Sequence, residues 1–407
     1  MKQAIELDRF DQFAGFRDRF EIPDGITYLD GNSLGLLPRT VSARIKDVTE
    51  QEWGEGLIRS WNRAGWMNLP MKVGDKLAPL VGVGPGQIAV GDSTSVNLFK
   101  ALSAALSLRP DRRVILVEDD NFPTDTYIAE GLANLADYEL RRASPEGLAT
   151  MDIGQDVAVL LLSHVHYRSA EIRDMRAFNA AVHAAGALVL WDLSHSTGAL
   201  PVDLAGTGCD MAVGCTYKYL NGGPGAPAFI WVNPDLVDSA SQPLSGWMGH
   251  AAPFAFTNSY TPSAGIRRFM SGTPQVLNLS ALDEALNLWA DVDMTMLRQK
   301  SMKMTEFFIE GVERDCAGFG LQLASPRDPA IRGSHVVFDH PKGYEIIQAL
   351  IARGVIGDFR APQTMRFGFA PLYLSFAEVA ASIEALKEIL EHRIYEHPEF
   401  ATRNAVT

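Results

Sequence analysis

One lysine, Lys218, stands between two tyrosines in the stretch CTYKYLNGGPGAPAFIWV (215–232). An apolar run, MAVGC, precedes it and a Gly/Pro-rich loop follows. A charge at the end of a buried strand is costly to desolvate, and the ordinary outcome is a side chain that snorkels to water. Held in place, the amine is instead a nucleophile toward aldehydes. Three other groups precede it. GDSTSVNLF (91–99) brings the hydroxyls of Ser93, Thr94 and Ser95 and free backbone N–H groups to a helix start. That makes a phosphate site, or simply a helix cap. NFPTDTY (121–127) puts Phe122 after the apolar run VILVED, where its ring can stack on a planar ligand or pack into the core. LVLWDLSHSTG (188–198) ends an apolar run on Asp192, with His195 close behind. A buried carboxylate calls for a cation, which can be an Arg, a Lys or a protonated pyridine nitrogen. Phosphate cup, stacking ring, carboxylate and then a lysine about 25 residues on is the layout that pyridoxal 5′-phosphate requires. Asp192 and His195 lack a third metal ligand, and His164 and His166 lack a partner set, so no metal is expected.

The elements that must present these groups are legible as an alternation. Short apolar runs at 87–90, 112–118, 156–165, 187–192, 210–216 and 227–232 read as strands. Amphipathic stretches between them, such as SVNLFKALSAALS, DTYIAEGLANLAD and MRAFNAAVHAAG, read as helices. Near-continuous apolar strands imply a sheet covered on both faces, hence an α/β fold with a mostly parallel sheet. In such sheets ligands sit at the carboxyl ends of the strands, where all four groups fall. After residue 275 a long helical stretch breaks near Asp291–Asp293. It leads into a smaller α+β domain with strands near 334–340 and 364–370 and a helix at 375–393. The expected organisation is an N-terminal segment (1–60) packing on the small domain or a dimer partner, a large cofactor-binding domain (61–285) and a small C-terminal domain (286–407).

Bulk properties narrow the function further. A net charge of −13 without a basic block argues against nucleic acid or an anionic membrane surface. No apolar run reaches membrane-spanning length, and the N-terminus lacks a signal peptide's apolar core. The three cysteines form no CxxC and read as buried thiols, consistent with a reducing cytoplasm.

With these residues in view, the chain resembles the fold-type-I pyridoxal-phosphate enzymes, in the branch shared with the cysteine desulfurases. It resembles the kynureninases more closely, over nearly its whole length. The resemblance rests on YLDGNSLGLLP (28–38), STSVNLF, NFPTD, HVHYRSA (164–170), WDLSHSTGALPVDL, CTYKYLNGGPG, GWMGH (246–250), RRFMSGTP (267–274) and MRFGFAPLY (365–373). It implies hydrolysis of L-kynurenine to anthranilate and L-alanine, within tryptophan and kynurenine metabolism. It also implies that Lys218 carries the cofactor, that Thr94 and Ser95 bind phosphate, and that Phe122 stacks on the ring. Asp125, Ser169, Asp192 and His195 would line the cofactor, with Asp192 on the pyridine nitrogen, and Tyr217 would sit near the phosphate and move protons. Trp247 and Thr273 would reach the cofactor from a neighbouring subunit, implying a homodimer with its active site at the interface. Arg366 would grip the substrate's α-carboxylate, a task suited to a bidentate guanidinium. Trp61, in RSWNRAGW (59–66), and Thr273 stand where animal relatives carry a His and an Asn, which implies a preference for L-kynurenine over its 3-hydroxy derivative. Ser169 and Ala170 depart from the family's usual Thr and Gly, and Thr94 stands where others carry Leu. A desulfurase reading would need a mobile Cys, for which Cys316 is the only candidate after Lys218. A non-catalytic cofactor-binding member is the third reading, opposed by the presence of Lys218, Asp192, Tyr217 and Arg366.

Overall fold

The computed structural model describes residues 1–150 and 153–403. Its larger sheet has seven strands: β1 (Ile88–Val90), β2 (Val114–Glu118), β3 (Glu139–Ala143), β4 (Val157–Ser163), β5 (Leu188–Asp192), β6 (Met211–Gly214) and β7 (Phe229–Val232). Their spatial order is β1-β7-β6-β5-β4-β2-β3. Strands β2 to β6 pair in parallel, and β7 runs antiparallel to both β6 and β1. Every residue of β2, β4, β5, β6 and β7 is buried, which is why these strands read as unbroken apolar runs. Strand β3 is the exception, and the sequence reading missed it. It lies at the sheet edge and is charged (ELRRA) and largely solvated, as edge strands are when they resist further pairing.

Helices α1 (Thr94–Leu108), α2 (Pro123–Ala136) and α3 (Met175–Ala184) connect the strands. The stretch after 275 forms α4 (Val276–Ala285), a short 3₁₀ segment, and α5 (Met294–Asp315). The break falls at Asp293, whose carboxylate accepts the N–H groups of Thr295 and Met296 and so restarts the helix.

The smaller sheet is antiparallel, in the order β8-β9-β11-β10, with β8 Gln322–Leu323, β9 His335–Asp339, β10 Asp358–Arg360 and β11 Thr364–Gly368. Helices α6 (Gly343–Ala352) and α7 (Phe376–Glu391) complete this unit. A reciprocal Ser375–Glu378 capping box starts α7. Phe308 of α5 packs on Phe338 and Phe367 of the sheet and on Phe369 just past β11. The N-terminal segment touches this unit: Asp8 accepts the N–H groups of Phe376 and Ala377, Asp11 pairs with Lys300 at 2.7 Å, and Thr27–Tyr28 runs parallel with Val355–Ile356. Its helix Arg39–Asp47 packs instead on α4.

Candidate active site

Adjacent parallel strands end on one edge, so the residues following β4, β5 and β6 meet there. Asp192 closes β5, opposite Ser163 of β4 and Val213 of β6. Its Oδ1 accepts from the backbone N–H of Ser194 at 2.8 Å and from the Ser194 hydroxyl at 2.6 Å. Burial raises the Asp192 carboxyl above its ordinary range, while Ser194 and Lys218 oppose the rise. Asp125, in the first turn of α2, is fully buried, and its Oδ2 has no hydrogen-bond partner. Burial, then the nearby Asp192, pushes Asp125 well above the usual carboxylate range.

Lys218 lies just past β6, with Nζ 3.2 Å from His195 Nε2, which is also 3.1 Å from the Asn32 carbonyl oxygen. Burial, then Lys218, His335 and Arg366, drive His195 well below its ordinary value, so the ring is neutral. The ring of Tyr217 has its centroid 5.8 Å from Lys218 Nζ. Burial, then Cys215 and Asp192, keep its phenol protonated.

The cup before α1 is capped by Ser93, whose hydroxyl accepts the Val96 N–H at 3.3 Å. Thr94 and Ser95 occupy the first turn behind that cap. Lys100, buried on α1, donates to Asp92 Oδ2 at 2.5 Å and to the Phe269 carbonyl at 2.7 Å, which ties the cup to the loop carrying Thr273. Phe122 is 37% exposed, with its ring edge-to-face on Tyr167 at 5.4 Å. It is therefore not a core side chain.

Ser169 Oγ lies 3.0 Å from His166 Nδ1 and accepts the Glu171 N–H. Ala170 after it has φ +67°, a left-handed conformation that glycine adopts most readily. Glu118, Asp120 and His166 bring potential metal-ligating atoms within 4.8 Å of one another. However, Arg173 pairs with Glu118, and the His166 ring nitrogens face Ser169 Oγ and the Asp120 carbonyl.

Arg366, on β11, is buried in a bidentate contact with Asp358. Trp61 and Trp247 meet each other edge-to-face at 5.6 Å. Thr273 is exposed on its loop. Among the described residues no hydrogen bond or ring contact joins these three to Lys218 or Asp192.

Sequence reasoning singled out neither Asn32, His335, Asp30 nor Asp358. Asn32 and Asp30 belong to the DGNSLG block, which in the sequence serves only as a marker of resemblance. His335 is fully buried, its ring 5.5 Å from that of His195. Its position inside an apolar strand was the available signal.

These residues fit pyridoxal phosphate. A desolvated Asp192 beside an orphaned Asp125 oxygen suits a cationic ring nitrogen, and the α1 start with its hydroxyls suits a phosphate. The fold and site together define a class, the fold-type-I pyridoxal-phosphate enzymes. Solved structures sharing the fold include the cysteine desulfurase CsdA of Escherichia coli, with TM-score 0.77 and 19% identity, covering 94% of this chain and 99% of that one. The cystine C–S lyase C-DES, in complex with its product cysteine persulfide, gives TM-score 0.79 at 18% identity, covering 93% and 99%. The kynureninase C-terminal domain family matches residues 297–386. The kynureninase of Pseudomonas fluorescens is 51% identical, covering 99% of both chains. That of Burkholderia pseudomallei (strain 1106a) is 50% identical, covering 100% of this chain and 99% of the relative. The chain belongs to the kynureninase family.

Proposed function

We propose that this protein hydrolyses L-kynurenine to anthranilate and L-alanine with pyridoxal 5′-phosphate. One juxtaposition carries the reading: Asp192 ends one strand and Lys218 follows the adjacent parallel strand, with His195 3.2 Å from the lysine amine. When bound, the cofactor supplies an electron sink conjugated with the substrate's α-carbon. Lys218 would hold the cofactor and would take the substrate's α-proton, returning it to the α-carbon as alanine forms. Asp192 holds the proton on the ring nitrogen. Water adds to the γ-ketone, the Cβ–Cγ bond breaks, and Tyr217 moves the proton that the alanine carbon gains. Thr94 and Ser95 hold the phosphate, Phe122 covers the ring, and Asp125, Ser169 and His195 line it. Arg366 takes the α-carboxylate.

The site is completed in a homodimer, with Trp247 and Thr273 contributed to the neighbouring subunit's cofactor and Trp61 over the substrate ring. An open aromatic patch supports this: Trp247 packs against Phe254, which is 64% exposed and adjoins Phe256 at 84%. Such surfaces usually mark an interface. Residues 61–285 act as the cofactor-binding domain, and 286–407 as the smaller domain, with 1–60 strapped across. No helix among the described residues is long and apolar enough to cross a membrane. The buried, unpaired cysteines suit the cytoplasm. A desulfurase reading lacks its thiol, since Cys316 is buried and burial pushes it up to about 12. Incubation of purified protein with L-kynurenine tests the proposal. Anthranilate fluorescence is expected, and its absence from cofactor-loaded protein refutes the reading.

A further inference from the structure

Strands β10 and β11 run antiparallel, in a register that sets Asp358 opposite Arg366. Side chains of such a pair rise from one face and meet. Arg366 Nε donates to Asp358 Oδ1 at 2.7 Å and Nη2 donates to Oδ2 at 2.5 Å. The two side chains are 2% and 1% exposed. Asp358 also accepts from Ser33 Oγ at 2.6 Å and lies 2.9 Å from Arg360 Nη2. Arg366 Nη1 donates to the Tyr167 carbonyl at 2.8 Å, and Nη2 reaches Ser33 Oγ at 3.2 Å.

A buried ion pair adds little stability over apolar packing of the same volume. What the fork-to-fork contact supplies is orientation, because it fixes the guanidinium plane and its rotation. The donor inventory shows which side is left open. Asp358 takes Nε–H and one Nη2–H. Tyr167 takes one N–H of Nη1, and the other has no partner among the described residues. The remaining Nη2–H goes to Ser33 by the longest contact of the set, and Ser33 keeps Asp358 as a partner if that contact is given up. One N–H on each terminal nitrogen is thus available to an incoming carboxylate.

We propose that Asp358 is a positioning residue that grips one edge of Arg366 so that the free edge receives the substrate's α-carboxylate. Asp358 itself does not touch substrate. The inference rests on the reading of Arg366 as the carboxylate site.

The test compares L-kynurenine with kynuramine, the same molecule without its carboxylate, on cofactor-loaded wild type, Asp358→Asn and Arg366→Gln. For Asp358→Asn, KM for L-kynurenine should rise at least about tenfold, with kcat within about threefold. The kynuramine inhibition constant should stay within about twofold, and the bound cofactor's absorbance should not change. Weakening of both ligands alike, or an unchanged KM, overturns the proposal. Arg366→Gln separates the two layers. If it shows no carboxylate-selective loss, the Arg366 reading fails and takes the positioning role with it. If it shows the loss and Asp358→Asn does not, only the positioning role fails. Should Asp358→Asn not fold, Asp358→Glu carries the test. It keeps the charge but displaces the carboxylate by one methylene from the edge it grips, and KM should rise at least about fivefold with kynuramine unaffected; an unchanged KM overturns the proposal.

Discussion

Asp30 lies beside the Arg366 group, with its Oδ1 buried and without a hydrogen-bond partner. Burial first and the neighbouring Asp358 second push its carboxyl from the ordinary 3.8 up to about 7, against the pull of Ser33, Arg366 and Arg360. Burial alone would raise Asp358 too, but Arg366, with Arg360 and Ser33, holds it below the usual carboxylate range. Below about pH 7, Asp358 is therefore the ionised member of the pair and Asp30 the protonated one. The phenols of Tyr28, Tyr219 and Tyr373 around them are held protonated by burial. Asp30 thus keeps a proton in the folded state that the unfolded chain has already lost, so its contribution to stability falls as pH rises from about 4 to about 7. At about 1.4 kcal/mol per pH unit that span allows ~4 kcal/mol at most, and partial solvent access brings the expectation to about 2–4 kcal/mol. Asp30→Asn carries no such dependence. Urea unfolding of both proteins at fixed concentration, at about pH 5, 6 and 8, reads the effect. Because the loss between about pH 4 and 5 lies below the sampled range, the variant should gain about 1.5–3 kcal/mol on wild type between the ends of that range, whatever constant offset the amide introduces. Parallel profiles would refute the argument. The same ionisation removes the positive surplus of the Arg360–Arg366 group, so the wild-type KM for L-kynurenine should climb above about pH 7 while that of Asp30→Asn should not.

Borohydride should fix the cofactor to a peptide containing Lys218, and Lys218→Ala should lose turnover almost completely; labelling at another lysine sinks that assignment. Asp192→Asn keeps the Ser194 hydrogen bonds on one oxygen and should leave near-native circular dichroism, but it removes the charge proposed to face the ring nitrogen. A kcat loss of at least ~10²-fold is expected, and a near-normal rate would show that another acid serves the ring. If Trp61 and Thr273 line the substrate ring as proposed, they offer an extra hydroxyl little partnership, and L-kynurenine should be preferred over 3-hydroxy-L-kynurenine by about tenfold to a hundredfold in kcat/KM. Equal values refute the pocket argument, and an unchanged ratio in Trp61→His removes Trp61 from the site.

The sequence by itself determined the strands of the large sheet, because strands covered on both faces must be apolar throughout, and that signal survives without coordinates. It also determined which end of them mattered: parallel strands all finish on one edge, so groups written at the ends of successive apolar runs, such as Asp192 and Lys218, are brought together by topology alone. Strand β3 escaped notice because an edge strand is solvated, and ELRRA reads as surface. Tertiary structure alone decided that Phe122 stands partly open rather than in the core, and that His195 is a neutral ring against Lys218. It alone set Asp30, Ser33, Asp358 and Arg366 into one cluster. Asp30 and Arg366 are separated by more than three hundred positions, and Asp358 faces Arg366 only through the β10–β11 register. Register, and the passage of residues 28–33 against the second sheet, are set by long-range pairing that no local pattern encodes. The charge state of a carboxyl depends on what that pairing places within a few ångströms of it.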